Sequence, residues 1–453
     1  MRYFLDPFGC VKNQVDAENM MAHLNKAGWE NVGADTAESA DLIIVNSCGF
    51  IESAKQESIN AVLEWRKLYP GKKILLAGCL AQRYAKELAE IMPEADGFFG
   101  IGSLEEIMEI ASKIVNGVNA ANALPAREGL PSGNLHSGER PLLSLPGSAY
   151  VKISEGCGNR CSFCAIPLIR GGLVSRTIPD ILEECRALLD RGIAELCIIG
   201  QDIGSFGKEA APFASKLPEL LDAISSLKGH FWVRLLYIHP DHFPPQILDI
   251  IERDTRFLPY FDIPFQHASP KILAAMNRHG TAEKYLELLE TIRARLPHAV
   301  IRSTFLLGFP GETEEDFAAL LDFQEKAALD WLGCFTYSRE EGTNAFSMKG
   351  RVSAKTAAAR KRIIEERQVP ITEKNMDRFV GQKLEVLIEE QVDSDVGEDS
   401  GIWLGRLYCQ APDIDGTAVI MNSGGTENKS LQTGVPAPCK VIARRGFDLE
   451  VRI

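Results

Sequence analysis

The sequence has 453 residues, of which 45% are hydrophobic and 25% charged, and its formal net charge is −13 at pH 7. This length and composition predict a globular chain of two or three domains and exclude a disordered one. No apolar run reaches the roughly eighteen residues of a membrane helix, and the first residues lack the charged start and apolar core of a signal peptide, so we predict a cytoplasmic protein.

Short apolar runs alternate with helical patterns through residues 1–118, which predicts an N-terminal domain built on a parallel sheet. Three of these runs end at Cys10, Cys48 and Cys79. Ligands of such sheets bind beyond the carboxyl ends of the strands, so we expect the three thiols to converge on one iron–sulfur site. A single cysteine of this kind is typical of a small buried hydrophobe, but three at equivalent positions favour ligation.

The segment 119–142 is rich in proline, glycine, serine and asparagine and has little periodicity, which predicts a linker. From residue 143 to residue 376, strand-like runs alternate with helical stretches. This alternation predicts a complete or partial (β/α) barrel, whose chemistry lies in the loops at the carboxyl ends of the strands. The clearest strand-like runs lie at 195–199, 232–236, 261–263 and 301–307, and the clearest helical stretch lies at 283–296.

Three cysteines follow the strand-like run at 150–153, with spacings of three and then two residues: Cys157, Cys161 and Cys164. Thiolates are the usual ligands of iron–sulfur clusters, and a four-iron cluster needs four ligands. Three protein ligands leave one iron open for an exchangeable molecule, as at a catalytic metal. A structural zinc site is the alternative, but it needs a second close pair of ligands, and none follows within a finger-sized interval.

Two polar loops are predicted at the barrel mouth, at residues 200–202 and 308–312. Each follows a strand, so each either binds a ligand or forms a tight turn, with Glu312 or Asp316 favourably placed near the next helix N-terminus. We interpret His239 and His267 as structural, since a lone histidine is more often a hydrogen-bonded structural residue than a ligand.

Arg170 and Arg176 flank the Gly-Gly pair that follows the cysteine loop. A guanidinium binds carboxylate or phosphate in bidentate fashion, so these two side chains either contact such a group or pair with surface acids. The other cysteines of the central and C-terminal regions have no partners at related positions. We predict that they pack in hydrophobic cores: Cys185, Cys197, Cys334, Cys409 and Cys439.

Residues 355–377 predict a helical connector interrupted at Pro370, and short strand-like runs beyond it predict a small β-barrel over residues 377–453. This last domain has eight Lys and Arg against thirteen Asp and Glu, a balance of minus five. A domain that reads RNA shows a basic footprint instead. The acidic chain as a whole favours a basic partner, although acidity also aids solubility.

The cysteine loop, with Phe163 directly before its third cysteine, resembles the signature of radical S-adenosylmethionine enzymes. Within that superfamily nearly the whole chain is similar to the methylthiotransferases, including a C-terminal segment like a TRAM domain. The chain departs from the family pattern at Asp6-Pro7, Phe8 and Ser47, none of which is a predicted ligand. The segments that carry the resemblance are residues 9–13, 45–51, 77–84, 150–176, 262–267 and 308–313.

The resemblance implies that S-adenosylmethionine binds the open iron at the cysteine loop and is cleaved to a 5'-deoxyadenosyl radical, with Phe163 near its adenine. A second S-adenosylmethionine supplies a methyl group to a sulfur species at the other cluster, so the cofactors carry the chemistry and we assign no catalytic residue. The implied ligands of the two 4Fe-4S clusters are Cys10, Cys48 and Cys79 for one, and Cys157, Cys161 and Cys164 for the other.

One branch of this family methylthiolates the β-carbon of an aspartate in ribosomal protein S-twelve of the small subunit. The chain is similar to that branch at residues 10–13, 48–54, 155–157, 235–240 and 410–416. The implied partners are this ribosomal protein, free or within the ribosome, an electron-donor protein and a sulfur donor.

Two other functions are weighed against this one. The second branch of the family modifies an isopentenylated adenosine beside the tRNA anticodon, which the acidic charge disfavours. A function of another class is a non-enzymatic iron–sulfur electron carrier or an RNA-binding scaffold. Electron carriers usually ligate each cluster with four cysteines, whereas both sets here stop at three.

Overall fold

The computed structural model describes residues 1–117, 120–123, 140–210, 214–392, 402–421 and 431–453. Three sheets organise the chain in sequence order: an N-terminal parallel sheet, a central parallel sheet and a small closed barrel. This arrangement confirms the predicted fold class. Within the described residues, no helix is long and apolar enough to cross a lipid bilayer.

The N-terminal sheet has six parallel strands, and helices lie on both of its faces. Its strands are β1 (Arg2–Pro7), β2 (Glu30–Asn31), β3 (Leu42–Ser47), β4 (Lys73–Gly78), β5 (Gly97–Phe99) and β6 (Ala120–Ala123). Its helices are α1 (Val11–Lys26), α2 (Glu52–Leu68), α3 (Cys79–Ile91) and α4 (Ile107–Val115). The strand order β2-β1-β3-β4-β5-β6 places β1, β3 and β4 side by side. Every residue of β3 is buried, as expected of a parallel strand covered on both faces.

The central sheet also has six parallel strands, in the order β14-β13-β12-β11-β10-β7, and the two end strands do not pair with each other. It is therefore a partial barrel, and β8 and β9 form a separate antiparallel ribbon. The strands are β7 (Ser148–Lys152), β8 (Ser154–Glu155), β9 (Val174–Ser175), β10 (Glu195–Ile199), β11 (Trp232–Leu235), β12 (Phe257–Asp262), β13 (Val300–Leu307) and β14 (Trp331–Thr336).

Helices cover the convex face of this partial barrel, and their apolar side chains form the largest core together with the outward-facing residues of the strands. The helices are α5 (Ile166–Arg170), α6 (Ile178–Asp190), α7 (Leu217–Ser225), α8 (Ile247–Arg253), α9 (Pro270–Ala275), α10 (Ala282–Arg295), α11 (Glu314–Ala327) and α12 (Ala354–Asp377). Short 3-10 turns lie at Ala34–Ser39, Leu104–Glu106, Ile203–Ser205, Pro240–His242 and Asn344–Ser347.

Helix α12 runs without interruption through Pro370, so the predicted break at this proline was wrong. Proline removes one backbone hydrogen bond and crowds the preceding turn. Here Pro370 lies on the exposed face of the helix, where water reaches the freed carbonyl. The opposite face is anchored by residues at helical spacing, among them Ile364, Gln368 and Thr372, which are buried.

The C-terminal barrel closes in the order β15-β16-β17-β19-β18, which confirms the predicted small β-barrel. Its strands are β15 (Lys383–Val392), β16 (Ile402–Arg406), β17 (Ala418–Met421), β18 (Pro436–Arg445) and β19 (Asp448–Arg452). The segment between β16 and β17 packs against the face of the central sheet that the helices leave open. There the indole of Trp331 donates to the carbonyl of Cys409 at 2.7 Å, and Tyr260 donates to Asp415 at 2.6 Å.

The predicted linker, residues 119–142, is described only in part. Strand β6 lies within it and pairs with β5, so the N-terminal sheet continues past residue 118, whereas residues 124–139 lie outside the described part of the chain. At its end, the buried Arg140 pairs with Glu18 of α1 and Glu184 of α6. This arginine therefore ties the N-terminal sheet to the central one.

Candidate active site

The three N-terminal cysteines come together at one edge of the first sheet. Cys10, Cys48 and Cys79 follow β1, β3 and β4, which are neighbours, so all three lie at adjoining carboxyl ends. Glycines allow the close approach of these loops. A Cβ atom on Gly9 would lie 3.1 Å from the Cβ of Cys48, and one on Gly49 would lie 2.6 Å from the carbonyl oxygen of Cys79.

Asn13, in the first turn of α1, holds these loops in place. Its amide nitrogen donates to the carbonyls of Phe8 at 2.7 Å and Ser47 at 3.2 Å. Its amide oxygen lies 3.7 Å from the thiol of Cys79. In return, the side chain of Asn46 donates to the carbonyl of Asn13 at 2.9 Å. One buried asparagine thus contacts the loops that follow all three strands.

The second cysteine set lies on the loop between β8 and α5, at the mouth of the partial barrel. Gly156 precedes it with a φ of +64°, and a Cβ there would lie 2.0 Å from the carbonyl oxygen of Gly172, so only glycine fits. The backbone amide of Cys157 donates to the carbonyl of Gly171 at 3.1 Å. Asn159, between the first two cysteines, donates to Asp202 at 2.9 Å.

Four buried charged side chains join the two cysteine sets. Arg170 donates to Asp16 of α1 at 2.7 Å and to Glu155 at 2.9 Å, and Lys152 pairs with the same two carboxylates. The Nη2 atom of Arg170, which donates to Asp16, also lies 3.2 Å from the sulfur of Cys79. Two cations and two carboxylates are thereby mutually compensated inside the protein.

The thiols differ in how readily they ionise. Burial raises the pKa of Cys157, Cys164 and Cys79 to about 12, so these groups are neutral at pH 7 unless a bound metal supplies positive charge. For Cys10, burial also opposes ionisation, but Lys12 and Arg170 outweigh it and lower the pKa of this thiol.

The arrangement of the two cysteine sets differs from that of a site that binds a single metal ion. Within the described residues, no group of three Cys, His, Asp or Glu side chains is placed to hold one metal ion. In a four-iron cluster each thiolate ligates its own iron. The glycine-lined loops, the thiols and the neighbouring cations therefore fit two clusters with three protein ligands each.

A mainly apolar cavity of about 230 Å³ opens between the first sheet and the barrel mouth. Phe163 of the cysteine loop lines it, together with Phe50 and Ile51 from the loop after Cys48. The barrel contributes residues at the carboxyl ends of its last three strands: Gln266, Thr304, Leu306, Phe335, Thr336, Tyr337, Ser338 and Glu340. Gln266 adopts a φ of +69°, a conformation that non-glycine residues rarely take outside functional sites.

The two polar loops, at residues 200–202 and 308–312, are stabilised by hydrogen bonds within their own turns, and the first loop is also bonded to the cysteine loop. Asp202 accepts from Ser205 at 2.6 Å and from His242 at 2.8 Å, in addition to Asn159. Burial works against its charge, but these bonds keep the pKa of Asp202 below its ordinary value. Glu312 accepts from the backbone amide of Gly308 at 2.8 Å, so it shapes the loop in which it lies.

The acidic residue at the start of α11 and the two histidines have structural contacts. Asp316 forms a capping box with Thr313, which matches the predicted role of an acid at a helix N-terminus. His267 accepts from the backbone amides of Ala268 and Ser269, each at 3.0 Å. His239 accepts from the amide of Asp241 at 3.2 Å, and burial lowers its pKa to about 3, so the ring is neutral.

Both arginines of the Gly-Gly segment bind carboxylates inside the protein. Arg170 pairs with Asp16 and Glu155, and Arg176 pairs with Glu184 at 2.5 Å. Both arginines thus pair with acids of the chain, as the second alternative predicted, but these acids are buried and do not lie at the surface. The five cysteines predicted to pack in cores are buried: Cys185, Cys197, Cys334, Cys409 and Cys439.

A cluster of ion pairs fixes the first sheet over the barrel mouth. Glu340, after β14, accepts from Arg83 of α3 at 2.8 Å and from Lys55 of α2 at 3.0 Å. Arg83 also donates to the carbonyl of Gly49, next to Cys48, at 2.9 Å. The cavity that Phe163 lines is thereby closed from one side by the N-terminal sheet.

The buried charged residues that connect the two cysteine sets were not predicted from the sequence. Asp16, Lys152 and Glu155 carry no pattern that separates them from surface charges. Asp16 follows Cys10 within two helical turns, and Lys152 and Glu155 lie in the segment 150–176 that carries the family resemblance, but neither signal indicates buried ion pairs.

Three family models match the chain, one for each sheet. Residues 2–100 match the uncharacterized protein family UPF0004, residues 151–323 match the radical SAM superfamily, and residues 380–453 match the TRAM domain. The matched regions follow the order and the approximate extent of the three sheets.

Curated relatives align with almost the whole chain. A ribosomal protein uS12 methylthiotransferase RimO of Treponema denticola is 45% identical, with 98% of this chain and 99% of the relative covered. The protein of the same name from Syntrophomonas wolfei is 42% identical, with 97% of each covered.

Among solved structures, the radical S-adenosylmethionine methyltransferase TsrM of Kitasatospora setae, with cobalamin and a [4Fe-4S] cluster bound, superposes with a TM-score of 0.54. It is 15% identical, and the match covers 76% of this chain and 73% of TsrM, so the likeness concerns the fold alone. The identity and coverage of the curated relatives establish the family, and the chain belongs to the ribosomal protein uS12 methylthiotransferases of the radical S-adenosylmethionine superfamily.

Proposed function

We propose that this protein transfers a methylthio group to the β-carbon of an aspartate in ribosomal protein uS12, the S-twelve protein of the small subunit. The observation that carries the proposal is the meeting of two three-cysteine sites at one barrel mouth, bridged by Arg170. A carrier of electrons needs no such shared chamber, whereas a transfer between two centres does. The relatives with this name align over nearly the full chain, which supports the same substrate.

The proposed cofactors are two 4Fe-4S clusters and S-adenosylmethionine. When bound, they would supply the radical that removes hydrogen from the substrate carbon and the methyl group of the product, while the sulfur would come from the separate sulfur donor. We assign S-adenosylmethionine to the cavity beside Phe163. The ligands proposed for the clusters are Cys10, Cys48 and Cys79 at the first sheet and Cys157, Cys161 and Cys164 at the barrel mouth.

The side chains around these sites position the reacting groups and exclude water. The first sheet covers the barrel mouth through Glu340, and Phe50 and Ile51 close the cavity with apolar surface. Arg170 and Lys152 hold Asp16 and Glu155, which fixes the separation of the two cysteine loops. Fixed geometry favours capture of the substrate radical by the sulfur group over its escape to other partners.

The charges of the C-terminal barrel support a protein substrate over tRNA. Several of its basic side chains are already paired with acids of the chain and offer little positive surface. The pairs are Arg378 with Asp330, Arg406 with Glu195 and Glu389, Arg444 with Glu373 and Asp377, and Arg445 with Glu450.

The remaining assignments follow from this reaction. An electron-donor protein and a sulfur donor are required as further partners, and a ribosomal substrate places the enzyme in the cytoplasm. For the domain division we retain residues 1–118, the linker 119–142, residues 143–376 and residues 377–453, with β6 as an extension of the first domain.

The experiment that tests the function is anaerobic turnover of the reconstituted protein with uS12 and, separately, with tRNA, followed by mass spectrometry. We expect an added methylthio group on an aspartate of uS12 and none on tRNA. The Cys157→Ala variant is the matched control and should leave uS12 unmodified.

Modification of an adenosine in tRNA with uS12 untouched would assign the protein to the other branch. A fully clustered protein that cleaves no S-adenosylmethionine under reducing conditions would instead support the electron carrier.

A further inference from the structure

Lys12, in the first turn of α1, is a buried basic side chain without a carboxylate partner. Its side chain is largely enclosed, since the residue is 5% exposed. Its ammonium nitrogen lies 3.3 Å from the centre of the Tyr237 ring. Among the residues that the structure describes, no carboxylate lies within 4.0 Å of this nitrogen. A buried charge is normally paired, so an unpaired one indicates a ligand that supplies the opposite charge.

The neighbouring charges do not fill this role. Asp16 and Glu155 are both held by Lys152 and Arg170. Asp262, at the end of β12, is held by Arg302 at 3.1 Å. The nearby carboxylates therefore have partners of their own, and the acidic group that remains near Lys12 is the thiol of Cys10.

Lys12 lies between the Cys10 loop and the mouth of the partial barrel. It follows Cys10 by two residues, and Tyr237 follows β11 at the carboxyl end of the barrel strands. Tyr237 has a φ of +68°, a strained conformation for a non-glycine residue that occurs preferentially at functional sites. The strained backbone presents the face of the ring to the ammonium group. A cation over an aromatic face keeps its N–H groups on the far side for a ligand.

We propose that Lys12 binds the carboxylate of the substrate aspartate, with Tyr237 as the platform beneath it, and so selects an aspartate side chain. This inference rests on the proposed function. The carboxyl carbon of aspartate is bonded directly to the β-carbon, so a fixed carboxylate places the reacting carbon next to the Cys10 loop. Lys12 is thus a substrate-binding residue that determines specificity, while the transferred groups come from the cofactors.

The test measures binding of the clustered enzyme to uS12 and to uS12 whose target aspartate is replaced by asparagine, anaerobically and without reductant. Wild type should bind the aspartate form more tightly by about tenfold or more, the usual value of a hydrogen bond to a charged group. Lys12→Met should bind both forms about equally. Lys26→Met, at the exposed far end of the same helix, is the matched control and should behave as wild type.

Lys12→Arg keeps the charge and should retain part of the preference, which provides a second variant if Lys12→Met is poorly folded. An unchanged preference for aspartate in folded Lys12→Met would overturn the proposal. The proposal would also be overturned if Lys12→Met kept this preference but lost iron or changed the electron paramagnetic resonance signal of the Cys10, Cys48 and Cys79 site. Lys12 would then support the cluster and would not bind the substrate. Absence of any methylthiolation by wild type is a different result and would instead refute the proposed function.

Discussion

The guanidinium of Arg170 lies 3.2 Å from the sulfur of Cys79, although 91 residues separate the two in sequence. The same guanidinium binds Glu155, which is two residues from Cys157. One arginine therefore contacts Cys79, a proposed cluster ligand, and Glu155, which lies just before the second cysteine set. Hydrogen bonds to cluster sulfurs and buried charge both influence reduction potential.

Replacing Arg170 by methionine should destabilise the protein and alter the first cluster. Asp16 and Glu155 would lose a buried partner, and such a loss costs about 3–5 kcal/mol of unfolding free energy. The Cys79 thiolate would lose a donor, so the reduction potential of its cluster should become more negative. Urea unfolding and a redox titration in the Cys157→Ala background measure the two effects. Arg186→Met, at an exposed position of α6, should change neither, and an unchanged potential in Arg170→Met would contradict the assignment.

Gly156→Ala should prevent the barrel-mouth loop from adopting its conformation. A Cβ at this position would lie 2.0 Å from the carbonyl oxygen of Gly172, and the φ of +64° is itself unfavourable for alanine. Iron content should fall from about eight to about four atoms per chain, because one of two four-iron clusters is lost. Gly158→Ala is the control, since its Cβ would meet only Leu173 at 3.8 Å. Equal iron content in both variants would refute the argument.

Alanine variants of the six cysteines should fall into two groups. Variants of Cys157, Cys161 and Cys164 should lose both cleavage of S-adenosylmethionine and methylthiolation. Variants at Cys10, Cys48 and Cys79 should still form 5'-deoxyadenosine but leave uS12 unmodified, because the radical site stays intact. Chromatography and mass spectrometry report the two products.

Cys439→Ala, in the buried core of the C-terminal barrel, is the control for these variants and should keep both activities. Full methylthiolation by any of the six variants would remove that cysteine from the proposed ligands.

Glu195 should contribute stability that depends on pH. Burial disfavours its charge, but Arg406 and Arg234 overcome this and lower its pKa from 4.5 to about 2. A lowered carboxyl pKa stabilises the folded state above pH 4.5, and this contribution is lost as the pH falls toward 2. Glu195→Gln should therefore cost on the order of 3 kcal/mol at pH 7.

The difference between wild type and Glu195→Gln should shrink steadily below pH 4.5, as followed by urea unfolding at a series of pH values. Glu290→Gln, at an exposed position of α10, should show no such trend. A constant difference across this range would mean that Glu195 acts by packing alone.

The sequence predicted the order of the three sheets because each depends on local periodicity. Strand β10 was predicted at Glu195–Ile199, where the structure has it, since the four residues after Glu195 are all apolar. Strands β16 and β19 were not identified, because each has only five residues and its periodic signal is short. The break of helix α12 that was predicted at Pro370 does not occur, because the exposed position of this proline reduces its cost to the helix.

The cysteine positions were determined by the sequence alone, since spacing within a loop and placement at strand ends are local properties. The Arg170 contacts with Asp16 and Cys79, the platform of Tyr237 beneath Lys12 and the closure by Glu340 were decided only by the tertiary structure. Each joins residues from different sheets, and their distances depend on how the sheets pack. Periodicity indicates which face of an element is buried, but it does not say which distant side chain meets that face.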